Sequence, residues 1–389
     1  MSFDNRKRTQ MPGQRKNKYK EEEEKDEHFI EEIKKRKKEG IEIPLNKNVQ
    51  GKRNSTYLEY VKLFHNALPE IDYDQIDLSV KFLNRSFSAP LIIDSMTGGT
   101  DEAFLINKRL AQIAERYGLG MGLGSQRAGL KSDKLVESYS IARKTAPNAF
   151  LIANIGAAQL SDGLSNSDVL KIIKMIDANA LAIHLNPLQE LIQPEGEPRF
   201  KGILRKISDL TSEIEIPVIV KEVGSGISGD VAIRLEKAGI SSINIAGSGG
   251  TSWAGIEKLR ADRHNEYIKS QLGNLFWDWG IPTALSILLV NRSVKLPVIA
   301  SGGLRNGLEI AKCLILGADI CAMAFPFLRR AAKSEEELEK FTQLILSEIR
   351  ATMFLLGAKD IDSLRNTRYI LIDKLASVLS NYEYRRNKN

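Results

Sequence analysis

The sequence has little cysteine and histidine, with two cysteines and four histidines among 389 residues. Cys313 and Cys321 form no Cys-x-x-Cys pair and lie in a predicted helix and a predicted strand. We therefore expect two small buried hydrophobic side chains and no disulfide framework. No apolar run approaches the ~20 residues of a membrane span, and the N-terminus lacks the apolar stretch of a signal peptide. These absences exclude a disulfide-stapled secreted domain and a membrane-spanning protein, and they predict a cytoplasmic location.

Charge is plentiful but unevenly distributed. The formal net charge is +7, a basic block over residues 6–20 precedes the acidic run 21–24, and more basic residues crowd the other end of the chain. Basic tails bind nucleic acid by neutralising phosphates, but an acidic block directly after a basic one favours a solvated, disordered arm. We therefore predict no nucleic-acid partner. An RNA-associated role of the basic arm, added to an enzymatic one, stays open as an alternative.

Eight short apolar runs recur along the middle of the chain and end in small or polar residues. They cover residues 89–99, 118–125, 149–157, 180–187, 217–224, 242–250, 297–303 and 320–326. Near-continuous apolar runs are typical of parallel strands buried on both faces, and the segments between them, such as 107–117 and 229–238, have apolar residues at helical spacing. Eight strand-then-helix units predict a (β/α)₈ barrel. A doubly wound sheet is the alternative, disfavoured because no Gly-x-Gly-x-x-Gly turn follows the first run.

The remaining segments frame this barrel. We predict a disordered charged tail over 1–26, a single barrel domain over 27–370, and a C-terminal helix with a basic tail over 371–389. Within the domain, a charged helix is expected over 27–39, ended by Gly40 and Pro44. An amphipathic helix is expected over 334–357, and extra helices in the long segment between the sixth and seventh runs.

Three of the predicted strand ends are rich in glycine. They read SMTGG (95–99), GSGGT (247–251) and SGGLR (301–305). Active sites of (β/α)₈ barrels lie at the C-terminal ends of the strands, and the loops after strands seven and eight often bind phosphate. Glycines let the backbone approach a bulky ligand, and Arg305 is placed to bind a phosphate through two hydrogen bonds. The needs of a tight turn would explain one glycine pair. Three glycine-rich strand ends together with an arginine favour a phosphorylated cofactor.

Polar residues at the other strand ends indicate a substrate site. Strand five carries Lys221 and Glu222, and a lysine in an apolar strand needs a partner; either a flavin edge or the adjacent Glu222 would serve. Strand four ends in HLNPLQE (184–190), whose Glu190 is a plausible Mg²⁺ ligand beside substrate phosphates. Strand two ends in Ser125-Gln126-Arg127, which adds a second guanidinium suited to phosphate.

Conventional acid–base residues are scarce at these strand ends. No cysteine nucleophile is present there, and no histidine ends strand six or seven. A cofactor is therefore expected to supply the chemistry. An FMN-dependent 2-hydroxy-acid oxidase is one alternative, but it would need a histidine where Ser248 precedes Gly249-Gly250. A non-flavin phosphate-binding barrel is another, although it leaves Lys221 and the three glycine-rich ends unexplained.

At these motifs the chain resembles the type 2 isopentenyl-diphosphate isomerases, flavoenzymes common in archaea and many bacteria. The likeness covers roughly residues 25 to 370. It is carried by SMTGG (95–99), GSQR (124–127), ANIGAAQL (153–160), HLNPLQE (184–190), KEVGSGIS (221–228), AGSGGTSWAGIE (246–257), SGGLRNG (301–307) and AMAFP (322–326).

The resemblance implies reduced FMN as cofactor, NADPH as reductant, Mg²⁺, an isoprenyl diphosphate substrate, and a homo-oligomer of four or eight subunits. The FMN contacts it implies are Ser95, Met96, Thr97, Ser125, Asn154, Lys221, Thr251, Gly303, Leu304, Arg305, Ala324 and Phe325. The substrate residues it implies are Lys25, Ser125, Gln126, Arg127 and Gln189, with His184 and Asn186 beside them and Glu190 holding Mg²⁺.

The chain departs from the family pattern at two places. The family opens with an Arg-Lys-x-Glu/Asp-His signature whose basic pair binds the diphosphate, and residues 24–28 read Glu-Lys-Asp-Glu-His, so Lys25 is left to serve alone. Ala246 stands where the family often has a serine that contacts FMN. Losing one hydrogen bond costs about 1 kcal/mol, too little to abolish FMN binding.

The reaction that the resemblance implies is a 1,3-proton shift between isopentenyl and dimethylallyl diphosphate, with the proton transfer done by reduced FMN. Lys221 would stabilise anionic reduced flavin, and Mg²⁺ and Arg127 would fix the diphosphate. Gln189 is the candidate for relaying or orienting a proton. Glu257 is a weaker candidate for the same role.

Overall fold

The computed structural model describes the backbone of residues 31–386 and the side chains of residues 31–382. The expectations for the tail over 1–26, for Lys25 and for the first residues of the charged helix lie outside these residues. Those for the basic side chains at the extreme C-terminus do so as well.

Eight parallel strands of the described chain close into a barrel. They are Leu91–Ile93, Gly120–Gly122, Phe150–Gly156, Ala180–Leu185, Val218–Glu222, Ser242–Asn244, Val298–Ala300 and Ile320–Met323. Each strand pairs with the next, and the eighth returns to the first with Cys321 opposite Leu91. Each predicted apolar run contains one of these strands. The (β/α)₈ prediction is therefore confirmed, and the open doubly wound alternative is wrong.

Helices lie between and after the barrel strands. They are Asp101–Tyr117, Asp133–Thr145, Ala157–Ser161, Asn166–Met175, Pro187–Ile192, Ile203–Glu213, Gly229–Lys237, Trp253–Arg263, Tyr267–Leu275, Thr283–Asn291, Gly307–Ile315, Phe325–Ala331, Glu335–Leu356, Ile361–Arg365 and Asp373–Arg386. The first of these begins where the Thr100 side chain accepts a hydrogen bond from the Ala103 amide, and ends at Gly118 in the left-handed conformation. The extra helices expected after the sixth strand are present, as is the long helix expected over 334–357.

Shorter elements complete the described chain. Single 3₁₀ turns cover Leu58–Tyr60, Tyr73–Gln75 and Gln126–Leu130. A hairpin joins Val80–Phe82 to Arg85–Phe87, and Val61–Leu63 pairs antiparallel with Tyr369–Leu371.

The helix that precedes the barrel does not end where the sequence predicts. Residues 31–46 are helical, so the chain passes through Gly40 and Pro44 without a break. Proline inside a helix costs about 3 kcal/mol, but burial of Ile43 against Val49, Ile256 and Trp277 opposes that cost. Tertiary packing therefore overrides the local helix-breaking signals, and the predicted end at Gly40 is wrong.

Both cysteines are buried and free, as expected. Cys313 lies in the helix Gly307–Ile315 and Cys321 in the eighth barrel strand. Across residues 31–386, none of the helices combines the length and apolarity that a membrane crossing requires.

Candidate functional site

A deep cavity opens at the C-terminal ends of the barrel strands. Nearly all described residues proposed from the sequence lie on its walls. These are Ser95, Met96, Thr97, Ser125, Arg127, Asn154, His184, Asn186, Gln189, Glu190, Lys221, Thr251, Glu257, Gly303, Leu304, Arg305, Ala324 and Phe325. They come from all eight strand ends and the loops that follow, so barrel closure is what brings them together.

Gln126 is the exception, because its side chain is fully buried behind the cavity wall. Its amide nitrogen donates to the Ile172 carbonyl at 3.0 Å, and its oxygen accepts from the Asn154 amide at 3.2 Å. Both ends of the side chain are therefore occupied by backbone. The structure therefore places the Gln126 side chain away from the cavity, where it is bonded to the strand that carries Asn154.

The glycines after strands six and seven form a close backbone contact on one side of the cavity. A Cβ added to Gly250 would lie 2.5 Å from Gly303 Cα, and one added to Gly303 would lie 2.4 Å from Thr56 Cγ2. Gly303 also has a φ of 79°, which favours glycine. Arg305 lines the cavity here and donates to the Leu304 carbonyl at 2.9 Å and to the Gln50 side chain. Because the guanidinium retains its charge in proteins, this corner is suited to a phosphate.

Two polar atoms on the cavity wall have no partner among the described residues. They are the Thr97 hydroxyl and the Asn186 side-chain oxygen, both buried. An unpaired buried polar group costs about 1–3 kcal/mol. The residues present therefore fit a bulky ligand that carries phosphate at one end and hydrogen-bonding groups elsewhere, as FMN does.

Lys221 finds a carboxylate partner that the sequence did not indicate. Its ammonium lies 3.8 Å from Asp94 Oδ1 and donates to the Glu222 backbone carbonyl at 2.9 Å. The Glu222 carboxylate instead accepts from the backbone amides of Val223 and Gly224, each at 2.6 Å. The alternative of a structural Lys221–Glu222 side-chain pair is therefore wrong.

His184 is held as a neutral imidazole in the cavity wall. Its Nδ1 lies 2.8 Å from the side-chain oxygen of Asn154, whose amide nitrogen donates to the Leu123 carbonyl at 3.1 Å. Burial first, and the charges of Lys221 and Lys37 next, lower the pKa of His184 to about 3. At neutral pH this side chain therefore orients its neighbours without carrying charge.

Gln189 and Glu257 belong to a connected polar network. The Gln189 amide donates to Glu257 Oε1 at 2.9 Å, and Arg260 donates to Glu257 Oε2 at 2.7 Å. The same guanidinium donates to Glu39 at 2.9 Å and to Glu195 at 2.7 Å. Burial raises the pKa of Glu257 while the Arg260 charge opposes that shift. The network therefore holds a buried carboxylate next to Gln189, with both of its oxygens accepting hydrogen bonds.

Arg36, Lys37 and Arg127 form a cationic group on the cavity wall. Lys37 donates to the Ser125 carbonyl at 3.0 Å, and burial, with the charges of Arg36 and Arg127, lowers its pKa from 10.5 to about 7. Three cationic side chains grouped on one wall of a cavity indicate an anionic ligand.

Arg36 and Lys37 also offer a second position for the diphosphate signature. Arg36-Lys37-Lys38-Glu39 repeats the Arg-Lys-x-Glu spacing that was sought at residues 24–28, with Gly40 in the place of the signature histidine. The structure puts this basic pair at the cavity. The Arg-Lys-x-Glu/Asp spacing is therefore found at Arg36–Glu39 as well, and this copy lies at the cavity.

Glu190 lies at the cavity with both oxygens engaged. Asn186 donates to one at 3.0 Å, and Gln193 and the Glu197 amide donate to the other at 2.8 and 3.1 Å. Over the described residues no group of three or more His, Cys, Asp or Glu side chains is arranged to hold a metal ion. A divalent cation here would need oxygens from its ligand.

Sequence reasoning missed four side chains that complete this site. They are Asp94, Arg36, Lys37 and Arg260. Signals for three were present, since Arg36-Lys37 has the spacing of the family signature and Arg260 lies three residues after Glu257 in a helix. Asp94 lies in the first apolar run, far along the chain from its partner Lys221.

Several known proteins resemble this chain in sequence or in fold. A family model described as FMN-dependent dehydrogenase matches residues 186–371. A lactate oxidase of Pediococcus acidilactici has a TM-score of 0.62 at 15% identity, covering 88% of this chain and 94% of that one. An active chimera of (S)-mandelate dehydrogenase gives 0.61 at 15% identity, covering 83% and 94%. At this identity the likeness defines the class of fold, a (β/α)₈ barrel.

Curated relatives are much more similar. An isopentenyl-diphosphate delta-isomerase of Nostoc sp. is 46% identical over 85% of this chain and 94% of its own length. Its counterpart in Pyrococcus furiosus is 46% identical over 85% and 84%. The chain belongs to the isopentenyl-diphosphate delta-isomerase family, and the resemblance found in the sequence is confirmed.

Proposed function

We propose that this chain binds FMN and Mg²⁺ and interconverts isopentenyl and dimethylallyl diphosphate by a 1,3-proton shift. One observation carries the proposal: a single cavity has cationic side chains at two separate positions on its wall. Arg305 follows the seventh strand, whereas Arg127 follows the second, and the eighth and first strands separate them in the barrel. Two anion-binding places match a phosphorylated cofactor and a diphosphate substrate.

FMN would be held by the glycine-lined corner at Gly303 and Arg305, with Thr97 and Lys221 along its polar edge. Bound reduced FMN would supply the acid–base group that transfers the proton. The unpaired Thr97 hydroxyl and the Gly250–Gly303 backbone contact support this placement. NADPH is the reductant we expect.

The substrate diphosphate would be held by Arg36, Lys37 and Arg127, the cationic group on the helix 31–46 and after the second strand. Mg²⁺ would join Glu190 to the diphosphate, because a magnesium site of this kind takes one or two carboxylates plus substrate phosphates and water. Positioning by these groups removes the need for a strong protein acid.

Gln189 and Glu257 are the side chains proposed to orient or relay a proton at the alkene. Glu257 is 2% exposed and accepts from Gln189, so its carboxylate is shielded from bulk water. His184 would orient Asn154 as a neutral ring. Ser125, Asn186, Met96, Thr251, Leu304, Ala324 and Phe325 would complete the walls around cofactor and substrate.

The 2-hydroxy-acid oxidase alternative is disfavoured by the residue before Gly249-Gly250. Ser248 stands there, and its hydroxyl accepts from the Asn54 amide at 2.8 Å. It does not line the main cavity. A serine engaged elsewhere would not abstract a proton from a hydroxy acid.

We further propose a cytoplasmic homo-oligomer. Four large apolar side chains are exposed on or just after the helix Tyr267–Leu275: Tyr267, Ile268, Leu275 and Trp279. Apolar side chains grouped in one exposed segment are typical of an interface. Light scattering of the wild type and of Ile268→Glu would test this, since a monomeric wild type would contradict it.

The decisive experiment joins a spectrum to a product assay. The purified protein is expected to show oxidised flavin absorbance and, after anaerobic dithionite with Mg²⁺ and isopentenyl diphosphate, to release dimethylallyl diphosphate. Flavin without product would favour the oxidase alternative, which lactate oxidation would then check. Absence of flavin binding after FMN is added would contradict the proposal.

A further inference from the structure

We propose that Asp94 is a positioning residue that sets the charge around Lys221 and thereby the preference of the cavity for reduced over oxidised FMN. The inference rests on the proposed binding of FMN in this cavity. Asp94 belongs neither to the glycine-rich motifs nor to the polar strand-end residues that the sequence indicated.

Asp94 and Lys221 form an ion pair that crosses the barrel. Asp94 follows the first strand and Lys221 lies in the fifth, and these strands are opposite each other in the closed order of eight. The two residues are 8% and 6% exposed, and Nζ lies 3.8 Å from Oδ1. Burying a charge costs several kcal/mol unless it is paired, so each group needs the other.

The orientation of Asp94 is fixed by its neighbours. Oδ1 accepts from the Ser95 amide at 2.8 Å, and Oδ2 accepts from the Asn244 amide at 3.3 Å. The Asn244 oxygen in turn accepts from the Ser301 hydroxyl at 2.6 Å. A hydrogen-bonded chain across the ends of the first, sixth and seventh strands therefore aims this carboxylate at Lys221.

Asp94, Ser301 and Lys221 all line the cavity that we assign to FMN. A lysine ammonium there favours the more negative, reduced form of the cofactor, because opposite charges attract strongly where water is excluded. Asp94 opposes that effect by pairing the lysine. Removing its charge leaves the lysine without its ion-pair partner, so the affinity for reduced FMN should rise relative to that for oxidised FMN.

The test uses a charge swap. Asp94→Asn removes the carboxylate, Asn244→Asp adds one beside it, and the double variant moves the carboxylate from one side of the hydrogen bond to the other. In the double variant the amide introduced at position 94 is able to donate to the carboxylate introduced at position 244, and Ser301 still donates to that carboxylate. The number of charges and hydrogen bonds is therefore unchanged.

The readouts are the reduction potential of bound FMN, from anaerobic equilibration with a reference dye, and the Kd of oxidised FMN. We expect Asp94→Asn to raise the ratio of affinities for reduced and oxidised FMN at least tenfold, a shift of about +30 mV for two electrons. Asn244→Asp should shift the potential the opposite way, and the double variant should return to within threefold of the wild type.

An unchanged potential in Asp94→Asn would overturn the inference, as would a double variant that stays at the Asp94→Asn value. If Asp94→Asn does not fold, the sign of the Asn244→Asp shift decides, and a shift to higher potential would overturn it. A wild type that binds no flavin would overturn the proposed function and this inference together. Flavin bound with isomerase activity but without these shifts would overturn this inference alone.

Discussion

The Gln189 amide donates a 2.9 Å hydrogen bond to Glu257, the carboxylate whose second oxygen is held by Arg260. If the two side chains act as one proton-handling unit, removing either one should cost about as much as removing both. We expect Gln189→Ala and Glu257→Gln each to lower kcat by about 10²-fold, and the double variant to lose little more. Single-turnover product assays would measure this. Fully additive losses, or near-full turnover in Gln189→Ala, would contradict the idea that the two side chains act as one unit.

Arg260 should matter for stability as well as for the site. It is 3% exposed and donates to Glu39, Glu195 and Glu257. Arg260→Met leaves buried carboxylates without their cation, and we expect a loss of about 3–5 kcal/mol in the free energy of unfolding. Arg263→Met is the matched control, because its side chain is 46% exposed and such pairs contribute about 1 kcal/mol or less. Urea titrations showing equal losses would contradict the prediction.

Lys37 should make diphosphate binding depend on pH. Burial and the neighbouring Arg36 and Arg127 lower its pKa to about 7, and a bound anion favours the ammonium form and so raises that pKa. Below pH 7 the free protein already carries the charge. Above pH 7 a proton must be taken up on binding, so affinity should fall by up to tenfold per pH unit.

Calorimetry with inorganic pyrophosphate and Mg²⁺, from about pH 6 to pH 9, would measure this dependence. Lys37→Arg is the control, because arginine keeps its charge throughout this range and pyrophosphate ionises identically in both titrations. The ratio of the two Kd values should therefore change with pH in the direction given. Parallel profiles would contradict the assigned pKa.

Thr97→Val should have opposite effects on the free protein and on cofactor binding. The Thr97 hydroxyl is buried without a partner in the described chain, so its removal should stabilise the FMN-free protein by about 1 kcal/mol and weaken FMN binding by up to about tenfold. Thr342→Val serves as control, since its buried hydroxyl donates to the Leu338 carbonyl at 2.8 Å away from the cavity. That variant should lose stability and bind FMN normally. A Thr97→Val protein that binds FMN like the wild type would contradict the contact.

Mg²⁺ should bind only together with a diphosphate. Glu190 already accepts three hydrogen bonds, and the described residues around it supply no cluster of metal ligands. We expect calorimetry to show no saturable Mg²⁺ binding to the protein alone and clear binding once pyrophosphate is present. Glu190→Gln should weaken that binding, whereas Glu197→Gln, at an exposed position, should not. Tight binding of Mg²⁺ alone would contradict the proposed role of Glu190.

Much of the fold was accessible from the sequence because its signals are local. Parallel barrel strands are buried on both faces, so each of the eight appears as a continuous apolar run. The residues at their ends therefore identify one face of the barrel. Gly303 and Arg305 could be proposed as cavity residues from position alone, and the structure places both on the cavity wall.

The sequence was a poor guide where packing between distant segments determines the local structure. Gly40 and Pro44 read as a helix end, yet the burial of Ile43 carries the helix past them. The same helix brings Arg36 and Lys37 to the cavity, a placement that the sequence did not predict. Gln126, next to Arg127 in a recognised motif, turns inward because the Ile172 carbonyl and the Asn154 amide take both ends of its side chain.

By itself the sequence determined the barrel, its functional face and the family, since periodicity, glycine placement and contiguous motifs are properties of neighbouring residues. Tertiary structure alone decided the charge pairs at the cavity. Asp94 meets Lys221 only because the first and fifth strands face each other across a closed barrel. Arg260 likewise gathers Glu39 and Glu195 from two distant segments, beside Glu257 of its own helix. Such pairs depend on distances in space between residues far apart in the chain, and burial of charge makes those distances decisive.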